Sequence, residues 1–195
     1  VLLVACATRT DQRADTSFFS DSKFAAPADR IQAEDVFALS PAMQHYLEHD
    51  IADKLRRGGR QQGLVDALYS KGELRLEYDS ALTRNAAQAF EARAGNCLSL
   101  VIMTAAFAKK LGLPVNYQSL YTDETLARSG NLHFVIDHIN LSLGKRLSDS
   151  LGSVRYPEIV TIDSVPAQDS SKQRARLPAE NTVVAMYMNN RAAES

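Results

Sequence analysis

Tryptophan is absent from this 195-residue chain, and cysteine occurs only twice, as Cys6 and Cys97. Without an indole, no site here can use an indole N–H as a donor. Two thiols allow at most one disulfide, and with no CxxC pair the usual thiolate frameworks of structural zinc are excluded. The nine glycines form neither a Walker loop nor a dinucleotide fingerprint, so no nucleotide cofactor is expected. Charge of one sign is also lacking: 22 Lys and Arg stand against 23 Asp and Glu, a net charge of −1 scattered along the chain. That excludes the basic footprint of a nucleic-acid partner. No apolar run approaches the ~18 residues needed to span a bilayer. What is present is ordinary for a soluble globular protein, 45% hydrophobic and 23% charged, with length for one good core.

The N-terminal segment Val1-Leu2-Leu3-Val4-Ala5-Cys6-Ala7-Thr8 is apolar up to Cys6 and polar beyond. Leu3-Val4-Ala5-Cys6 resembles the lipobox that ends a bacterial lipoprotein signal peptide, and a start at Val predicts a missing upstream end. The resemblance implies cleavage before Cys6 and lipidation of its sulfur, hence a membrane partner through an N-terminal lipid anchor. Ala7 in place of Asp resembles the outer-membrane sorting pattern, which implies a periplasmic, outer-membrane location. Residues 1–6 are thus expected to be a signal-peptide remnant and 7–33 a flexible tether. With Cys6 so occupied, a Cys6–Cys97 disulfide is not expected.

Helical signals come first in the remainder. Ser40-Pro41 reads as N-cap and first helical residue, followed by one apolar face at Met43, Tyr46, Leu47, Ile51 and Leu55, closed by Gly58-Gly59. A second helix is expected over about 61–70, then a short strand or extended link over Leu74–Tyr78, then a third helix capped by Thr83. The strongest apolar run, Leu98–Leu111, follows Gly95-Asn96-Cys97 and stops at Gly112 and Pro114. Beyond it the period becomes two. Strands are expected at Val115–Tyr121, Leu132–Leu143 and Glu158–Asp163, with loops over Thr122–Gly130 and Gln168–Leu177 and a final helix over Asn181–Ala193. Helices followed by an antiparallel sheet predict an α+β fold with helices packed on the sheet.

Cys97 stands where a turn enters a buried helix, a position in which the helix dipole and free N–H groups stabilise a thiolate. A thiol nucleophile needs a base and a group that orients the base. Four histidines are available: His45 and His49 on the first helix, His133 and His138 on the long strand. Alternation puts the two strand histidines on opposite faces, so at most one meets the thiol. Asp163, at the end of the next strand, can serve as orienter. His45, His49 and Asp53, at i, i+4 and i+8, have a spacing that can hold zinc but also arises on an ordinary polar helix face, which is the expectation here.

Four segments occur in order: Gly95-Asn96-Cys97-Leu98-Ser99, Lys110-Leu111-Gly112-Leu113-Pro114, His138-Ile139-Asn140-Leu141-Ser142-Leu143 and Thr161-Ile162-Asp163-Ser164. Together they resemble the core of the transglutaminase-like superfamily, a papain-like cysteine fold, over Phe90–Pro166. The resemblance implies Cys97 as nucleophile, His138 as general base and acid, and Asp163 as orienter, His138 being chosen over His133 because it directly precedes the alternating run. It implies thioester chemistry on protein or peptide amides, resolved by water or by an amine, with no cofactor and no metal. Ile139 stands where many members carry an aromatic residue, and the missing tryptophan removes one source of oxyanion stabilisation.

Residues 34–178 are expected to form this domain, and 179–195 a C-terminal helix. Thr182–Glu194 resembles the first helix of a tetratricopeptide repeat, implying protein partners through helical repeats that begin here. The alternative function is a catalytically idle module, in which the transglutaminase-like core and repeats scaffold proteins at the outer membrane.

Overall fold

The computed structural model describes residues 31–70, 73–121, 126–129, 132–135, 138–144, 160–162 and 174–194. The chain divides into two units, 1–30 and Ile31–Ser195, and all described residues belong to the second. Cys6 and the expected tether up to residue 30 lie outside the described residues.

After a 3-10 turn at Ala33–Phe37, helix α1 covers Pro41–His45. Ser40 caps it as its side chain accepts from the Met43 N–H at 3.2 Å. The expected single helix is in fact interrupted. A π turn, Tyr46–Asp50, follows α1, with the Ile51 N–H bonded to the Tyr46 carbonyl at 3.1 Å, before α2 resumes at Ala52–Arg57. The physical reason is the spacing of Met43, Leu47 and Ile51. Buried residues four apart drift around a 3.6-residue turn, and one wider turn returns them to the core. Helix α3, Arg60–Tyr69, packs so closely on α2 that a Cβ at Gly63 would sit 2.7 Å from the Lys54 carbonyl oxygen.

Strand β1, Glu77–Tyr78, pairs in parallel with β2, Ala94–Gly95, and α4, Ala86–Ala92, lies between them in sequence. The cap of α4 is Asn85, in a reciprocal box with Gln88, and not Thr83 as expected. Helix α5, Cys97–Lys110, is the centre of the fold: every residue from Leu98 to Ala108 is buried. A helix apolar all round must be covered on all sides. Helices α3 and α4, the 3-10 turn and the sheet cover it. Its carboxyl end closes through Gly112, at φ +70, and Arg60 Nη1 donates to the Leu111 carbonyl at 3.1 Å.

The main sheet is antiparallel with order β7-β6-β3-β8: Val160–Ile162, His138–Leu143, Val115–Tyr121 and Arg174–Arg176. Ile139, Leu141 and Leu143 enter the core beside α5. Two expected loops each contain a strand: β8, and β4 at Leu126–Ser129. The expected long strand is divided. Its first part, β5 at Leu132–Val135, pairs with β4 in a separate hairpin, and only His138–Leu143 belongs to the main sheet. Alternation reports a half-buried strand but not which neighbour it pairs with.

Helix α6, Glu180–Glu194, buries Val183 and Tyr187 in the same core as α5. Glu180 holds its start, accepting from Lys109 Nζ at 2.6 Å and from the Tyr117 hydroxyl at 3.1 Å. The fold is therefore mixed α and β, an α+β arrangement in general terms.

Burial of tyrosines predicts that alkali destabilises the fold. Tyr69 is pushed up to about 12 by burial, its 2.6 Å hydrogen bond with Thr104 opposing weakly. Tyr46 is also pushed up to about 12, by burial first and then by Glu73 and Asp50; Tyr117 moves the same way, through burial and Glu180. A raised folded value means stability fully present below the unfolded value of ~10 and lost as pH climbs through the folded one. Tyr69 alone is expected to remove stability progressively between ~10 and about 12, on the order of 1 kcal/mol per pH unit. Urea midpoints across that window should fall, and Tyr69→Phe should flatten the fall while costing about 1 kcal/mol at neutral pH. An unchanged slope in the variant would refute the assignment.

Candidate functional site

The thiol of Cys97 lies on the first residue of α5 and is half-buried. Three features of sequence put it there. Gly95 is buried and lets β2 press on the first turn of α5; a Cβ at this position would stand 2.6 Å from Ser99 Cβ. Asn96 has extended backbone and caps the helix, its Oδ1 accepting from the Ser99 N–H at 2.9 Å and the Ser99 hydroxyl at 2.8 Å. The run from Leu98 onward is apolar enough to drive α5 into the core, leaving its first residue at the boundary.

Around this turn lies a shell of polar groups that periodicity did not reveal. Asn96 Nδ2 donates to Thr83 Oγ1 at 2.8 Å, and the Arg84 N–H donates to Ser99 Oγ at 2.8 Å. Arg84 pairs with Asp79 at 2.7 Å, and the Asp79 N–H donates to the Gly95 carbonyl at 3.1 Å. The Ala81 N–H and Arg84 hold the Asp79 carboxyl below the usual carboxylate range. Tyr78, opposite Gly95 in register, is 59% exposed; partial burial first, and then Cys97, raise its pKa. Asn96 and Ser99 carried a legible signal, since cap and third helical residue are three apart. Tyr78 carried none, and the capping signal of Thr83 pointed to α4 instead.

The other expected residues are placed to different degrees. His138 takes the first register position of β6, opposite Leu120 on β3, and its side chain lies outside the described residues. His133 lies on β5, in the separate hairpin, so the two histidines do not share a strand. Asp163 lies outside the described residues; the residue before it, Ile162, ends β7 opposite Leu141 of β6. Two positions beyond His138, Asn140 is buried, and its Oδ1 has no hydrogen-bond partner among the described residues. Leaving a buried amide oxygen unpaired costs on the order of 1–3 kcal/mol.

An open cleft of about 850 Å³ lies elsewhere, between the first helical segment and α4. Tyr46, Leu74 and Phe90 contribute its apolar lining and Asp50, Glu73 and Arg93 its charges, whereas Cys97 is not among its walls. Nearby, the His45 and His49 rings stack at 4.3 Å and Asp53 pairs with Arg56 and Arg57. Among the described residues, no three His, Cys, Asp or Glu side chains converge to hold a metal ion. No helix among them is long and apolar enough to cross a membrane. The chain matches no protein-family model, no curated protein and no solved structure.

Proposed function

We propose that this domain is a cysteine acyl-transfer enzyme of the transglutaminase-like, papain-like kind. The observation that carries the reading is the placement of Cys97. It is a half-buried thiol on the first residue of a 14-residue central helix, packed against an antiparallel sheet whose strand β6 begins at His138. The adjoining strand β7 ends one residue before Asp163.

In this reading His138 takes the thiol proton of Cys97 as Sγ attacks an amide carbonyl of a protein or peptide. The C–N bond breaks, the leaving amine takes its proton from His138, and a thioester remains. Water or a second amine then opens the thioester, giving hydrolysis or transamidation. Asp163 holds the His138 ring, and the Cys97 N–H, on the first turn of α5, serves as one oxyanion donor. Cys6 carries a lipid anchor that keeps the domain at the outer membrane, facing the periplasm.

Alkylation tests the chemistry without a known substrate. In a Cys6→Ser background, Cys97 is the sole thiol. Iodoacetamide is expected to label it at pH 6 about tenfold or more faster than N-acetylcysteine, and His138→Ala to remove most of that advantage. A wild-type rate equal to that of the free thiol would overturn the proposal.

A further inference from the structure

The carboxyl end of α6 reaches the nucleophile turn through a continuous chain of hydrogen bonds. Glu194 Oε1 accepts from the Thr83 N–H at 2.8 Å, and Asn190 Nδ2 donates to Thr83 Oγ1 at 3.2 Å. The same hydroxyl oxygen accepts from Asn96 Nδ2 at 2.8 Å, and Asn96 Oδ1 holds both polar groups of Ser99. Cys97 sits between Asn96 and Ser99. Thr83 is 1% exposed and Ser99 is fully buried, so water does not substitute readily for any of these bonds. Arg191 Nη1 steadies the second oxygen of Glu194 at 3.1 Å.

We propose that α6 positions Cys97, with Thr83 as the relay. Asn96 can cap α5 only with its amide plane correctly turned. An amide has one accepting and one donating end; the Ser99 N–H, which can only donate, requires Oδ1 toward the helix, and the Thr83 oxygen, accepting from Nδ2, holds the amide in that plane. The Thr83 oxygen is itself held by α6 through Asn190, and the Thr83 backbone through Glu194. Withdrawing α6 would free Thr83, let the Asn96 amide turn, and release the first-turn N–H groups that surround the thiol. Thr83, Asn190 and Glu194 are positioning residues: they act through Asn96 and not on a substrate. The far end of α6 is pinned independently by Lys109 and Tyr117 on Glu180, and its middle by burial of Val183 and Tyr187. The latch can therefore open without undocking the helix.

The consequence for reactivity rests on reading Cys97 as a nucleophile; the mechanical link does not, and two readouts separate them. In the full chain carrying Cys6→Ser, amide hydrogen exchange at Ser99 reports the cap, and iodoacetamide labelling across pH reports the thiol. Thr83→Val is expected to speed exchange at Ser99 about tenfold, to leave Ala105–Lys110 as protected as in the parent, and to lower labelling at pH 6 about two- to fivefold. Thr83→Ser keeps the hydroxyl and should restore both. Glu194→Ala, at the accessible end of α6, should move both readouts in the same direction as Thr83→Val and less far. Parent-like exchange at Ser99 in Thr83→Val and Glu194→Ala would overturn the proposal, as would exchange raised evenly along α5. Parent labelling at the free-thiol rate, with the Ser99 response intact, would remove the enzymatic reading and leave the latch standing.

Discussion

Phe107→Ala is expected to destabilise the domain by about 3–5 kcal/mol. Phe107 is fully buried on the central helix, and its ring meets those of Phe90 at 5.7 Å and Tyr46 at 6.0 Å. Truncation removes the transfer free energy of a whole ring and leaves a cavity between three packed elements. The neighbours have little freedom to collapse into it. Phe90 and Tyr46 already meet edge-on at 5.4 Å, and the Tyr46 hydroxyl is tied to the Ala67 carbonyl at 3.0 Å. Against a typical total of ~5–15 kcal/mol, that loss consumes a large share of stability. Urea denaturation at pH 7 measures it, and Ile102→Val, on the same helix, supplies the scale at about 0.5–1.5 kcal/mol. A Phe107→Ala cost near that of Ile102→Val would mean that α5 is not the centre of the core.

Gly95→Ala is expected to cost about 1–3 kcal/mol and, unlike Phe107→Ala, to act on the thiol directly. The added methyl would lie 2.6 Å from Ser99 Cβ, a separation that requires β2 or the first turn of α5 to move. Neither moves alone. The Gly95 carbonyl accepts from the Asp79 N–H, and Ser99 is held by Asn96 and Arg84. The strain is thus shared by the bonds that surround Cys97. Urea denaturation gives the cost, and iodoacetamide labelling in a Cys6→Ser background should slow at pH 6. Gly112→Ala is a useful contrast, because Gly112 has open space around it and is constrained by its φ of +70 instead. That variant should lose stability at the far end of α5 with Cys97 labelling unchanged. Equal effects of the two variants on labelling would contradict the steric account of Gly95.

Legibility in the sequence was uneven, and particular residues show why. Ser40-Pro41 and the Leu98–Leu111 run predicted α1 and α5 because capping and apolar burial are local properties of consecutive residues. Val115–Tyr121 emerged with its expected ends because its alternation is bounded by Pro114 and a polar stretch. Thr83 misled, being a good capping residue two positions before the true cap, Asn85. What occupies Thr83 is Asn96, 13 residues on, and α6, more than 100 residues on. The strand over 132–143 was legible as apolar alternation and illegible as two strands, since β5 and β6 differ in their partners and not in their pattern.

The sequence alone determined that Cys97 would begin a buried helix. Gly95, Asn96 and the apolar run specify that turn through steric room, a cap and hydrophobic burial, all acting within a few residues. It determined as well that helices would precede a sheet, because the hydrophobic period changes at Pro114. Only the tertiary structure decided which polar groups surround the thiol and which strands flank the histidine-bearing one. Those choices depend on contacts between α6, Thr83 and Asn96, and between β6 and its two neighbours, that are distant along the chain. Local propensity has no term for such contacts. They exist because packing α5 at the centre of one core brings the carboxyl end of α6 to its first turn.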